Sequence, residues 1–195
     1  MTKAEKTKQF IVEQTASLFN KKGFAGTSLN DITAATGLTK GSVYGNFGSK
    51  DEVALAVFDY NIKKVTNIFR TEIGKCETIR EKLMAYVEMY SNFQKFPFPA
   101  GGCPMLNTAI EADDTHPQLK EKARQAINAW IKSITKLVEE GIRLKEISEE
   151  VDATQVALTI IASIEGMTMI ANLTGKTEYR KTIMNSVAKM IGDLF

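Results

Sequence analysis

Cysteine and histidine are close to absent from this sequence, with two Cys and one His in 195 residues. Cys76 and Cys103 make no metal-ligand or redox spacing, and His116 cannot complete a zinc site with them, so no structural metal and no cofactor is expected. Long apolar runs are missing too: none reaches the roughly 18 residues that a spanning helix needs. The first residues, Met1 to Lys6, are polar where a signal peptide would need an apolar stretch, and the expected location is the cytoplasm, with no membrane partner. Glycine-rich phosphate loops are absent, as is any plausible nucleophile with histidine and acid partners, and the chain is not expected to be an enzyme. His116 beside Pro117 reads as a helix cap, and the pair Asp113 and Asp114 as a solvated helix end. Sustained strand-like alternation is also lacking, so helical periodicity between breakers predicts an all-helical fold.

What the sequence does contain is unevenly distributed. Residues 1–50 hold seven Lys and no Arg against Glu5, Glu13 and Asp31, a net charge of +4, whereas residues 51–195 carry −2. Basic charge at the front suits a polyanionic partner, although solvated helix faces carry lysine for solubility as well. A composition of 44% hydrophobic and 25% charged residues is that of a globular chain able to bury one or two ordinary cores.

About nine helices are expected. The first, from about Lys3 to Lys22, lines up Ile11, Thr15, Leu18 and Phe19 and stops at Gly23, which suits a left-handed position. Thr27 and Ser28 offer caps for a two-turn helix with Leu29, Ile32 and Ala35 inward and Gly37 at its end. Thr39 caps a third short helix, Lys40 to Phe47. Ser49 with Glu52 forms a capping box for a fourth, about 50–73, carrying Val53, Val57, Tyr60 and Val65. A second capping box, Thr78 and Glu81, precedes Leu83, Tyr86, Val87, Tyr90 and Phe93. After a Pro97 to Gly102 break, Pro104 and Pro117 open the sixth and seventh helices, the latter with a seam from Leu119 to Val138. Asp152 caps an eighth helix that is apolar on nearly every face, and Thr177 starts a ninth. An eighth helix of that kind is hard for one subunit to cover, and a homodimer is the economical answer, the other reading being the central core helix of a monomer.

The segment Ala35-Thr36-Gly37-Leu38-Thr39 places a glycine where a helix-turn-helix requires its tight bend. Phe10, Leu18, Phe19, Val53 and Leu55 are expected to brace the two short helices, leaving one face of the third free to enter a major groove. The run from Thr27 to Glu52, with Ile32, Gly37-Leu38-Thr39-Lys40-Gly41-Ser42-Val43-Tyr44, Phe47-Gly48-Ser49-Lys50 and the upstream Phe19 and Gly23-Phe24, resembles the DNA-binding signature of the TetR family of bacterial regulators. That resemblance implies a DNA-binding domain over residues 1–50 and a helical ligand-binding and dimerisation domain over 51–195, with the fourth helix connecting them.

The resemblance further implies that Thr39, Lys40, Gly41 and Ser42 face bases or phosphates. Tyr44 and Lys50, and Thr27 and Ser28 at the start of the second helix, match phosphate-binding positions. Val43 and Phe47 point to the core. Gly45 stands where many relatives carry an aromatic residue or histidine, so a contact made there is absent or taken over by Asn46.

From the same resemblance come a ligand pocket among helices five to seven and a dimer interface on helices eight and nine. Tyr86, Tyr90, Phe93, Met105, Leu106, Trp130 and Met167 are candidates to line the pocket, although aromatic residues at helical spacing are more often plain core. Cys103, at an expected helix start, is a candidate sensor thiol or simply a small capping residue. Glu165, in an apolar helix, must reach solvent, a dimer mate or a ligand. Cys76 has no assigned role. The implied function is a repressor that binds an inverted-repeat DNA operator as a homodimer and is released by a small-molecule inducer. The alternative is a ligand- or redox-sensing helical dimer without specific operator binding.

Overall fold

A computed structural model describes all of residues 1–195. It contains nine α-helices and no strands: α1 Lys3–Lys22, α2 Leu29–Thr36, α3 Lys40–Asn46, α4 Lys50–Ile73, α5 Ile79–Ser91, α6 Pro104–Ala112, α7 Pro117–Arg143, α8 Ala153–Thr174 and α9 Glu178–Gly192, with a 3-10 turn at Phe93–Lys95. The chain forms two compact units, one of residues 1–65 and 99–124, the other of residues 66–98 and 125–195. The division falls within α4 and within α7.

In the first unit, the sequence writes its helix ends clearly. Reciprocal capping boxes start α1, between Thr2 and Glu5, and α2, between Ser28 and Asp31. Gly37 closes α2 in the left-handed conformation, with φ 69° and ψ 8°, and its N–H returns to Thr33 O. Gly23 also has positive φ, 73°, but an extended ψ of 179°, so the chain leaves α1 outward rather than curling into the expected left-handed cap. Only glycine enters that region readily. At the start of α4, Ser49 Oγ accepts from Glu52 N as expected, but the Glu52 carboxylate reaches the N–H of Gly48 rather than that of Ser49.

Ile11, Val12, Ala16 and Phe19 of α1 meet Ile32 of α2, Val43 and Phe47 around α3, and Val53, Ala54, Val57 and Phe58 of α4 in one buried set. Phe10 is not part of it: at 40% exposed, it lies on the outer face of α1, one position away from the inward stripe of Ile11, Thr15 and Phe19. Leu18 and Leu55 are half-buried. Behind this set, His116 caps α7 through Leu119 N, which donates to Nδ1 at 3.2 Å, while its ring stands edge-on to Phe24.

The second unit is built on α5, α8 and α9. Ile79, Leu83, Tyr86, Val87 and Tyr90 of α5, Ile160, Ile164 and Met167 of α8, and Met184, Val187 and Ile191 of α9 are all buried. Asp152 caps α8 by accepting from Thr154 N and Gln155 N. By length and composition alone, α8 is long and apolar enough to cross a membrane, at 22 residues and mean hydropathy 1.6. Eight of its residues are nonetheless buried in the core of the unit. Along another face of the same helix, Leu158, Ala162, Met169 and Leu173 are exposed, Leu173 at 84%, and their spacing puts them on one stripe.

Candidate nucleic-acid interface

The third helix is short, and its outward face is determined by what it must bury. Val43 is almost fully buried, and Phe47 follows it into the core. Their spacing turns Thr39, Lys40, Gly41, Tyr44 and Gly45 to solvent, with Ser42 and Asn46 at the edges of that face. Thr39 caps the helix, its Oγ1 accepting from Ser42 N at 3.2 Å. A methyl group added at Gly45 would meet nothing within 4 Å, and one at Gly41 only Thr39 Oγ1 at 4.0 Å. Internal packing therefore does not require these glycines, and what they offer is an unobstructed surface over which a second body can come close. Asn46 is partly committed, because Nδ2 donates to Ser42 O on its own helix at 2.8 Å.

The start of α2 sits beside this face and is tightly bonded within itself. Asp31 accepts from the N–H and the hydroxyl of Ser28 and pairs with Lys22 at 2.7 Å. The Lys22 hydrogen bond, and after it those from Ser28, hold the Asp31 carboxyl well below the usual carboxylate range. Ser28 remains exposed. Thr27 does not: it is 0% exposed and donates its hydroxyl to Gly23 O, so its side chain staples the α1–α2 loop instead of facing outward.

Lys50 is likewise turned inward. Its Nζ donates to Phe24 O at 2.8 Å and Thr27 O at 3.0 Å and lies 4.0 Å from the centre of the Phe24 ring. From the other side of the loop, Glu111 of α6 accepts from the backbone N–H groups of Phe24 and Ala25. Asn20, buried at the end of α1, donates to Ala100 O and Gly102 O, and Asn107 Nδ2 donates to Asn20 O and Gly101 O. Sequence reasoning missed Asn20, Asn107 and Glu111. Each pairs with a residue more than 75 positions away, and no local pattern marks such a partner.

The residues proposed for ligand sensing divide between the two units. Tyr86, Tyr90, Phe93, Trp130 and Met167 lie in the second, where Phe69 touches Tyr86, Tyr90, Phe98 and Trp130 at ring separations of 5.3–6.3 Å. Burial raises the Tyr86 hydroxyl to about 12, with the Ser133 and Trp130 side chains acting in the opposite sense. Cys103, Met105 and Leu106 lie in the first unit. Cys103 occupies the N-cap of α6, but it is buried and its sulfur makes no capping hydrogen bond. Glu165 is half-buried, with both carboxylate oxygens shielded from solvent. No group of three His, Cys, Asp or Glu side chains is arranged to hold a metal ion.

Two family models match the chain, one described as bacterial regulatory proteins, tetR family, over residues 11–57, the other as tetracyclin repressor-like, C-terminal domain, over residues 80–187. A solved transcriptional regulator of the TetR family from Cytophaga hutchinsonii is 44% identical, with a TM-score of 0.95 over 100% of this chain and 97% of that one. A TetR transcriptional regulator from Chloroflexus aurantiacus J-10-FL is 41% identical, with a TM-score of 0.93 over 98% and 97% of the two chains. An uncharacterized HTH-type transcriptional regulator of Lactococcus lactis subsp. lactis is 28% identical over 173 residues, 86% of this chain and 84% of that protein.

Proposed function

The chain belongs to the TetR family of bacterial transcriptional regulators, and on that premise we propose that it is a cytoplasmic, ligand-responsive repressor that holds an inverted-repeat operator as a homodimer and leaves it when a small-molecule inducer binds. Residues 1–50 form the DNA-binding domain, and residues 51–195 the sensing and dimerisation domain, with α4 as the connection.

The observation that carries this reading is the outward face of α3: a capped helix, anchored by Val43 and Phe47, presenting Lys40, Ser42 and Tyr44 around two glycines that nothing in the subunit needs. Lys40 donates to guanine O6/N7 or to a phosphate, Ser42 to a base or to the backbone, and Tyr44 and Ser28 to phosphates. Thr39 supports these contacts as the cap. Lys50 and Thr27 act one step behind them by fixing the loop that leads into α2.

The exposed stripe of Leu158, Ala162, Met169 and Leu173 on α8 supports dimerisation, since a second copy would cover it. Two copies of α3 then enter successive major grooves about 34–36 Å apart. The aromatic cluster around Trp130 relays the response to the inducer, and because α4 begins in one unit and ends in the other, a ligand that repositions Phe69 moves a helix that also carries Val53 and Val57. A coupling of about 1–3 kcal/mol is enough to release DNA.

Mobility shift with fragments from the promoter beside the gene tests the reading. The parent protein retards a fragment containing an inverted repeat, Lys40→Ala and Ser42→Ala change which sequences are retained, and Leu173→Glu yields monomers that bind poorly. Failure of the folded parent to prefer any fragment over random DNA removes the operator-binding role.

A further inference from the structure

Arg180, the third residue of α9, is a buried cation with no anion. It is only 7% exposed, and no carboxylate lies at ion-pair distance from it. Of the five N–H groups of a guanidinium, one meets the sulfur of Met167 at 3.6 Å, a weak acceptor, and one meets Asn172 Oδ1 at 2.9 Å. The group lies 4.6 Å from the centre of the Phe93 ring, whose neighbour Phe98 stacks on it at 4.5 Å. Burial pulls the guanidinium below its ordinary value, and the Tyr90 hydroxyl acts the other way. An arginine nevertheless keeps its charge at any physiological pH, and a buried charge without a counter-charge is costly.

The same side chain lines a cleft of about 370 Å³ between the end of α5 with its 3-10 turn and the start of α9. Lys95 and Lys181 join Arg180 on its walls, and Glu178 is the single acidic residue among the lining side chains. Thr177, at the head of α9, makes no side-chain capping bond. The volume is within the range of small-molecule sites. Three cations face one anion, and the planar, buried guanidinium of Arg180 is the fork that matches two oxygens of a carboxylate or phosphate.

We propose that this cleft binds the oxyanion of a small-molecule ligand, a carboxylate or a phosphate, with Arg180 as its bidentate anchor and Lys95 and Lys181 as the outer charges. The assignment deepens the ligand-responsive reading above by giving the chemical class of the effector. Binding here supplies the missing counter-charge of Arg180 and joins α9 to the segment that carries Phe93 and Phe98, which ends in the aromatic cluster of the same unit.

Calorimetric titration of the full-length protein, without DNA, tests the site with three probes of similar shape: benzoate, phenyl phosphate and the neutral benzamide. At least one anion binds and benzamide does not, and the anion that binds identifies the head group. Arg180→Met lowers the affinity at least tenfold, and Lys95→Ala with Lys181→Ala lowers it about threefold and flattens its dependence on salt. Should Arg180→Met melt below the assay temperature, Arg180→Lys, which keeps the charge and loses the fork, shows the intermediate loss, and the exposed lysine pair still reports. Equal binding of benzamide and benzoate, anion binding untouched by the variants, or no binding of either anion by the parent overturns the site. A mobility shift run in parallel separates the two readings: an anion that binds through Arg180 yet leaves DNA retention unchanged keeps the site and removes its role as inducer site.

Discussion

The Glu111 carboxylate of α6 accepts hydrogen bonds from the backbone amides of two consecutive residues, Phe24 and Ala25, one to each oxygen at 2.7 Å. A helix distant in sequence thereby fixes the loop that leads from α1 into α2, and the absence of a side chain at Gly23 leaves room for it, since a Cβ there would run into the same carboxylate. Charge-assisted bonds of this kind are stronger than neutral ones.

Glu111→Gln keeps the shape of the side chain but can offer only one acceptor to the two amides. The expected cost is about 1–2 kcal/mol, reduced from the buried value because the site is partly exposed. Hydrogen exchange checks it directly: the amides of Phe24 and Ala25 exchange faster in the variant, and unchanged protection at both would show that the carboxylate does not hold the loop.

Lys50→Met keeps the apolar stem over Phe24 while removing the amine from the carbonyls of Phe24 and Thr27. Its expected effect is a loss of stability of about 1–2 kcal/mol, measurable by urea unfolding in the absence of DNA. A variant as stable as the parent, with only its DNA affinity lowered, would mean that the amine serves the phosphates and not the loop.

Gly45→Ala separates folding from recognition. The position is helical and open, so alanine is expected to stabilise α3 by about 0.5–1 kcal/mol and raise Tm by a few degrees. The added methyl group lies on the face offered to the duplex but is smaller than the aromatic residue or histidine of many relatives, and it is expected to change DNA binding by less than about 1 kcal/mol. Melting and mobility shift on the same preparation check the two effects; binding weakened more than tenfold would show that the duplex needs the bare backbone at Gly45.

The low Asp31 carboxyl fixes a pH dependence. A carboxylate whose folded value is depressed contributes stability above its unfolded value of about 4, and that contribution is lost as pH falls through the folded one. Asp31→Asn should therefore be less stable than the parent at pH 7, with the gap closing as the pH drops below about 4. Urea midpoints from pH 7 down to pH 2.5 measure it, and a gap that does not change with pH would leave the charge of Asp31 without effect on folding.

Local physics made the helices legible in the sequence. Capping residues, glycines at the stops of α1 and α2, prolines at the starts of α6 and α7, and apolar spacing act over four or five residues, and that is the range a sequence pattern can express. Val43 and Phe47 were recognisable as the inner side of α3 for the same reason, and with them its outer face. The direction of Lys50 was not. Its place in the pattern suggested a phosphate, but two carbonyls at the far end of a loop claim the amine. Thr27 reads as a surface cap and lies buried because Gly23 O is within reach of its hydroxyl.

The sequence alone determined an all-helical chain with a helix-turn-helix near its start, because both follow from short-range periodicity and caps. Only the tertiary structure decided that Asn20, Asn107 and Glu111 clasp the α1–α2 loop and that Arg180 is enclosed without a carboxylate. Such pairings depend on which distant groups the packed helices bring to hydrogen-bond distance, and that distance is set by the whole core and not by the neighbours of any one residue.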